Sequence, residues 1–478
     1  MSIQLTPSSS TSIQPLFGQT ANIFGRRWLM ITAVAIFALG SGISGGAKSA
    51  AMLIAGRAIQ GIGGGGINVM IDIIISDLIP LRERGKFLGI IFSVFALGTS
   101  IGPFVGGIIV QRISWRWVFY LNLPIAGVSL VLLVAFLQIE YKRTTTIWAS
   151  IKRIDFTGNA ILTASIVSIL IALSWGGTRY SWSSFHVIVP LVVGLAGTVA
   201  FHVFQASGFV AEPTMPPRLF TKRTTMVAFV LTFIHGMLTF WIIYFLPVYF
   251  QGVLGSSTTR SGVQLLPSVI LAVPMAIVGG GLVTKFGRYR PLHFFGFGMI
   301  TLGLGLFTLF DASTSVARWV VFQIIAAIGV GILLTTLLPA VQVELPESDV
   351  ATATATFSFI KTYGSIWGIS IPAAIFNTEF TNLAFRITDP TARAALSSGA
   401  AYSSVSRTLI ESFGPKVANE IISVYSDSIK LIWEVAVAFA GLAFLLSFLE
   451  KEVKLRTELD TEYGLKEKPK QVDIEKTS

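Results

Sequence analysis

The chain contains no cysteine in 478 residues, so disulfides and thiolate metal sites are excluded. Histidine is almost as scarce, with four in all. None sits in a cluster of carboxylates at metal-ligand or acid–base spacing. The Gly-x-x-x-x-Gly-Lys-Ser/Thr pattern of phosphate-binding loops does not occur, nor does an Asn-x-Ser/Thr glycan acceptor. Charge is thin as well, at 12% of residues. These absences leave no residues for an enzyme, a resident metal or a cofactor, and none of the three is expected.

What the chain has in abundance is apolar. Hydrophobic residues make up 53%, with 36 phenylalanines and 45 glycines, and the mean hydropathy is +0.73. That composition is far from a soluble domain and implies an all-α polytopic membrane protein, with the lipid bilayer as its main partner. The net charge of +11 could suggest nucleic acid. The basic residues, however, fall in short clusters between apolar runs, where they set membrane orientation, and no nucleic-acid partner is expected. Apolar runs near 28–46, 52–79, 87–110, 123–138, 156–175, 185–204, 226–250, 263–283, 292–310, 319–338, 357–376 and 429–449 give about twelve spans.

Inside the third run lies Gly98-Thr-Ser-Ile-Gly-Pro-Phe-Val-Gly-Gly107. Gly98, Gly102 and Gly106 are four apart, so they share a helical face and let another backbone approach. Pro103 deprives the Thr99 carbonyl of its partner, and a bend is expected there. The second run carries Arg57-Ala-Ile-Gln-Gly-Ile-Gly-Gly-Gly-Gly66. Its Gly61-x-Gly63-x-x-Gly66 matches the dinucleotide fingerprint in letters only, because no strand precedes it and the run is of membrane length. In the same run Arg57, Gln60, Gly61, Gly64, Asn68 and Asp72 recur at three and four and form a polar stripe. A polar face on a spanning helix is costly unless it meets protein or water, so the stripe should line a cavity or a tight contact. Arg57 and Asp72 lie about 22 Å apart along a helix and cannot pair. The competing reading has the two charges snorkelling to opposite interfaces. Asp77 is expected at the interface.

Residues 14–27 contain Gly18, Gly25, Arg26 and Arg27, and 280–290 repeat that spacing with Gly280, Gly287 and Arg288. Turns at the glycines and basic residues held off the membrane are the physical reading, and the recurrence marks an internal repeat. These stretches, in order, resemble motifs A, B and C of the major facilitator superfamily. Trp115-Arg-Trp-Val-Phe-Tyr-Leu-Asn-Leu-Pro124 resembles the signature of its fourteen-helix drug:proton antiporter branch. Filamentous fungal toxin and multidrug efflux pumps look most similar. Where the family usually carries an acidic residue in motif A, this chain has Asn22. The resemblance implies two helical bundles with an inserted helix pair, and a first helix and most of a second that this chain lacks.

It also implies proton-coupled efflux of small hydrophobic compounds by alternating access, with protons as the second partner. The gating residues would be Gly18, Gly25, Arg26, Arg27, Arg57, Gln60, Gly61, Asn68, Asp72, Gly98, Gly102, Pro103, Gly106 and Gly107. Trp241, Tyr244 and Tyr249 could stack on a planar substrate and His235 could carry a proton, although packing roles compete for each. An uptake carrier of the same fold, or a truncated membrane protein that transports nothing, are the alternatives. The plasma membrane is the expected location and the vacuolar membrane the other. The expected division is a polar remnant over 1–27, an incomplete first bundle over 28–139, and a linker with two inserted helices over 140–224. A second bundle with a long outer loop at 379–428 occupies 225–449, and a disordered tail 450–478.

Overall fold

The computed structural model describes residues 2–139, 146–177, 179–396, 400–403 and 407–458. Among them the chain is helical, in the order α1 (Ser2–Phe24), α2 (Arg26–Gly45), α3 (Ala50–Leu78), α4 (Leu81–Arg112), α5 (Trp117–Tyr120), α6 (Asn122–Phe136), α7 (Ile147–Lys152), α8 (Phe156–Trp175) and α9 (Phe185–Ala206). Then follow α10 (Arg223–Gly252), α11 (Thr258–Phe286), α12 (Arg290–Phe307), α13 (Val316–Gln342), α14 (Val350–Leu383), α15 (Pro390–Ala395), α16 (Ala400–Ser403), α17 (Arg407–Glu411) and α18 (Pro415–Ser447). Nine helices among the described residues are long and apolar enough to cross a membrane. Helices α4, α12 and α14 bring the long helices that follow α1 to the expected twelve.

Local chemistry sets the ends. Ser49, Ser257 and Ser315 cap α3, α11 and α13 by accepting from the backbone N–H three residues on, and Asp155 does the same for α8. Gly25 and Gly287, with φ of 83° and 66°, turn the chain after α1 and α11 in a conformation that disfavours any side chain. These two are the repeated loop glycines.

Helices α1 to α6 make the first bundle and α10 to α14 with α18 the second, with α4 packed mainly on α11 across the seam, while α8 and α9, between the two in sequence, pack on each other. The second bundle holds the larger apolar core, with Trp241, Phe245, Phe297, Phe307 and Trp433 fully buried. The glycines of α3 are packing residues. A Cβ on Gly63 would lie 2.3 Å from the Phe37 backbone nitrogen, and one on Gly66 2.3 Å from the Phe17 ring. That close approach explains the glycine-rich run without any phosphate.

Three boundaries move from the sequence reading. The N-terminal stretch is not a short polar remnant: α1 runs for 23 residues. Ile13, Phe17 and Ala21, four apart, set it into a cluster with Met30, Ala33, Val69 and Ala355. The expected outer loop at 379–428 shrinks, because α14 continues to Leu383 and α18 begins at Pro415. Between them Ile387, Ala392 and Leu396 are buried against the second bundle, and Tyr425 donates to the Ala401 carbonyl. The Asp389 carboxylate caps α15, and the Thr391 hydroxyl and amide hold it below the usual carboxylate range.

The tail begins as an ordered strap. Leu455 is buried, Tyr289 donates to the Lys451 carbonyl and accepts from the Val453 amide, and Glu450 pairs with His293 at 2.7 Å. Burial beneath this strap pushes the Tyr289 phenol well above its ordinary range. Residues 459–478, the remainder of the expected tail, lie outside the described residues.

Candidate transport site

The two bundles meet closely at the end that carries the basic loops. Gly18 on α1 and Gly280 on α11 occupy matching positions in the repeat, and each faces the opposite bundle. A Cβ on Gly18 would sit 2.2 Å from the Ala355 Cβ on α14, and one on Gly280 2.1 Å from the Gly85 carbonyl on α4. Gly18 is therefore a contact residue inside a helix and not a turn, because only hydrogen fits between these backbones. The pseudo-symmetry of the halves is visible in this pair of crossings.

Around the crossings lies a polar seal. The Arg26 Nε donates to Asp77 Oδ2 at 2.7 Å, with both side chains nearly inaccessible. Asp77 is thus buried and paired, where the sequence suggested an interfacial position. Arg84, 1% exposed, donates to the Ile79 and Ser76 carbonyls of its own half. It also reaches across to Gln342 Oε1 at 2.8 Å and Glu347 Oε1 at 3.1 Å. Gln342 in turn donates to Ser76 and Thr354. Asn22 Nδ2 donates to Thr352 Oγ1 at 3.1 Å, so the amide keeps a contact between halves without charge. The strap joins in, since Arg456 pairs with Glu347 at 3.2 Å and its carbonyl accepts from the Arg82 amide. Beside the seal Arg218 grips Asp349 with two nitrogens at 2.8 and 2.9 Å, a contact that raises the guanidinium further.

Deeper in, the stripe on α3 splits into two groups. Arg57 donates to Gln60 at 2.9 Å, Gln60 to Ser41 at 2.9 Å, and the Arg57 guanidinium lies 5.7 Å from the Phe119 ring centre. These three polar residues tie α3 to α2 and α5 near the opposite end. Asp72 instead turns to the second bundle and accepts from the Ser358 hydroxyl of α14 at 3.1 Å. Lys361, one turn further along α14, acts on Asp72 through its charge. Its ammonium lies 4.9 Å from the Phe92 ring centre on α4 and 6.0 Å from that of Phe357. Gly61 is buried between these groups, and Asn68 is exposed.

Other residues singled out from the sequence fall elsewhere. Trp241 and His235 lie inside the second bundle, Trp241 fully buried beside Phe439 and His235 with Nε2 3.1 Å from the Val330 carbonyl. Tyr249 donates to the Asp311 carbonyl and stacks on Phe310, and Tyr244 stacks on Phe240. Buried so, Trp241, His235 and Tyr249 pack the bundle and leave no face for a substrate. Arg27 donates to the Val134 carbonyl at 2.8 Å. Helix α4 is helical through Pro103 and Gly107, but among the described residues no neighbouring atom lies within 4 Å of a Cβ placed on Gly98, Gly102 or Gly106. Among those residues the close helix contact expected at that face is not made. The reading of the sequence missed Lys361, Ser358, Arg84, Gln342 and Glu347. A lone lysine within the apolar run 357–376 was the available signal for the first.

The chain matches the Major Facilitator Superfamily model over residues 9–369. It is 51% identical over 463 residues to the MFS-type transporter gkaD of Penicillium citrinum, across 97% of this chain and 79% of that protein. To the MFS-type efflux pump LUC4 of a Fusarium species it is 47% identical over 462 residues, across 96% and 82%. Among solved structures, the proton:xylose symporter XylE superposes with a TM-score of 0.53 at 16% identity, across 96% of this chain and 87% of that one. The bundles, the glycine crossings between them and these matches lead to one assignment: the chain is an integral membrane protein of the Major Facilitator Superfamily.

Proposed function

We propose that the protein exports small apolar compounds in exchange for protons, by alternating access between its two bundles. The observation that carries this reading is the placement of Asp72. It is an ionisable carboxylate at the seam between the bundles, below a seal that closes one end. The basic end faces the cytosol by the rule that positive loops stay inside, so the described state is closed to the cytosol. In the cycle a proton reaches Asp72 from outside and weakens its hold on the second bundle. The seal of Arg26, Asp77, Arg84, Gln342 and Glu347 then opens, and the proton leaves to the cytosol as substrate enters. Gly18 and Gly280, with Gly25 and Arg27 beside them, form the pivot, and the face of Gly98, Gly102 and Gly106 is used when the bundles rock the other way. The plasma membrane is the proposed location, and the efflux-pump names of relatives such as LUC4 favour export over uptake.

The test uses everted membrane vesicles loaded with the neutral dye Nile red. An imposed pH gradient should drive dye movement in vesicles carrying the protein, and Asp72→Asn should abolish that response while dye–dye exchange persists. Gradient-driven movement in the Asp72→Asn protein would overturn the assignment of the proton site.

A further inference from the structure

Asp72 and Lys361 each keep unspent hydrogen-bonding capacity. Asp72 uses Oδ2 on Ser358, and its Oδ1 has no hydrogen bond among the described residues. The Lys361 ammonium has no acceptor, and no carboxylate comes within 4 Å of it among the described residues. Lys361 is eleven residues into α14, and Asp72 six residues from the end of α3, which puts them about 17 and 9 Å along their helices from the sealed end. A cation and an anion at such depth are costly unless partnered. Both nonetheless remain partly accessible. A space therefore lies against them.

The walls of that space come from both bundles: Asp72 on α3 and Phe92 on α4 from the first, and Ser358 and Lys361 on α14 from the second. An occupant that touches these groups touches both halves, as alternating access requires. The site offers a free donor and a free acceptor from opposite bundles, with a net charge of zero, beside the Phe92 ring. Resting on the export reading above, we propose that it binds uncharged ring compounds that carry both a carbonyl and a hydroxyl. The carbonyl accepts from the Lys361 ammonium, the hydroxyl donates to Asp72 Oδ1, and the ring lies against Phe92.

This geometry also supplies the exchange. A proton on Asp72 occupies the oxygen that the substrate hydroxyl needs, so proton and substrate compete for one carboxylate. Protonation also leaves Lys361 as an uncompensated cation beside a neutral ligand. The groups facing Asp72 are Lys361 and Ser358 from α14 and the Phe92 side from α4. Among the described residues no other charged group acts on it from α1, α2 or α4. An organic cation gains nothing here, since the fixed ammonium opposes it as strongly as the carboxylate attracts it.

The experiment is a binding measurement on the purified full chain in lipid nanodiscs, with no gradient. The probes are 7-hydroxy-4-methylcoumarin and 7-methoxy-4-methylcoumarin, which differ only in the methyl that replaces the hydroxyl hydrogen, both uncharged at pH 6. The hydroxy compound should bind at least about tenfold more tightly, the scale of one hydrogen bond to a charged group. Asp72→Asn should erase most of that preference. Lys361→Met should weaken both probes alike, and Lys361→Arg should restore them. Equal binding of the two coumarins, binding of neither, or a preference that survives Asp72→Asn would each overturn the site. Because no transport is measured, this outcome is independent of the Nile red experiment: the export reading can stand while the site falls, and the reverse.

Discussion

Replacing Arg84 should open the sealed end without unfolding either bundle. Four of its contacts divide evenly: the Ser76 and Ile79 carbonyls belong to its own half, while Gln342 and Glu347 belong to the other. Only the second pair is lost when the bundles separate, so only that pair biases the equilibrium between closed and open. Hydrogen bonds to a charged group are worth about 1.5–3 kcal/mol each, and Glu347 keeps Arg456 as a partner, so the lower end, about 3 kcal/mol in all, applies to Arg84→Ala. That is roughly a hundredfold shift in population. The chain has no cysteine, so a single introduced thiol reports without background. Ala351, 2% exposed in the α1–α14 seam, is the place for it. With Ala351→Cys as the reporter, Arg84→Ala should raise labelling by an impermeant maleimide about a hundredfold, in proportion to the open fraction. Arg84→Lys should fall between, because an ammonium lacks the planar fork that serves both acceptors. A labelling rate within about twofold of the parent would refute the claim that Arg84 holds the halves together.

Three further outcomes follow from contacts on either side of the seal. Gly280→Ala places a methyl 2.1 Å from the Gly85 carbonyl and should destabilise the closed state by about 1–3 kcal/mol, read by the same thiol reporter. Gly102→Ala meets no neighbouring atom within 4 Å among the described residues, so it should leave thiol labelling and thermal stability of the closed state unchanged; a loss of either would place a neighbour on that face. Glu450→Ala strands a fully buried His293 and frees the strap, which should cost about 1–3 kcal/mol and lower the melting temperature in detergent; an unshifted melt would mean the strap is loosely held.

The spans were legible because lipid imposes a simple rule. Residues 156–175, read as one apolar run, are α8 to the residue. Helix α1 was not legible, since its serine-rich start carries no apolar run. Its packing signal is the sparse seam of Ile13, Phe17 and Ala21, which takes meaning only from the cluster it enters. Gly18 shows a second limit: a glycine spaced like a turn residue serves as a crossing point, and only the approach of Ala355 reveals it. The polar stripe marked Asp72 as a residue in need of a partner, and the Ser358 hydroxyl that it meets lies 286 positions away on α14. Spacing along one helix says nothing of such a meeting. Arg84 lies in one of the short basic clusters between apolar runs, yet it is among the most buried of the described side chains.

The central claim is that Asp72 carries the proton that the substrate exchanges for. Its most direct test is proton flux itself, followed with a pH-sensitive dye sealed inside proteoliposomes while Nile red leaves down its own gradient. The account predicts proton entry that rises with dye exit in the parent protein and none in Asp72→Asn, although dye exchange continues. Dye exit from the parent without proton entry, or unaltered proton entry with Asp72→Asn, would contradict it.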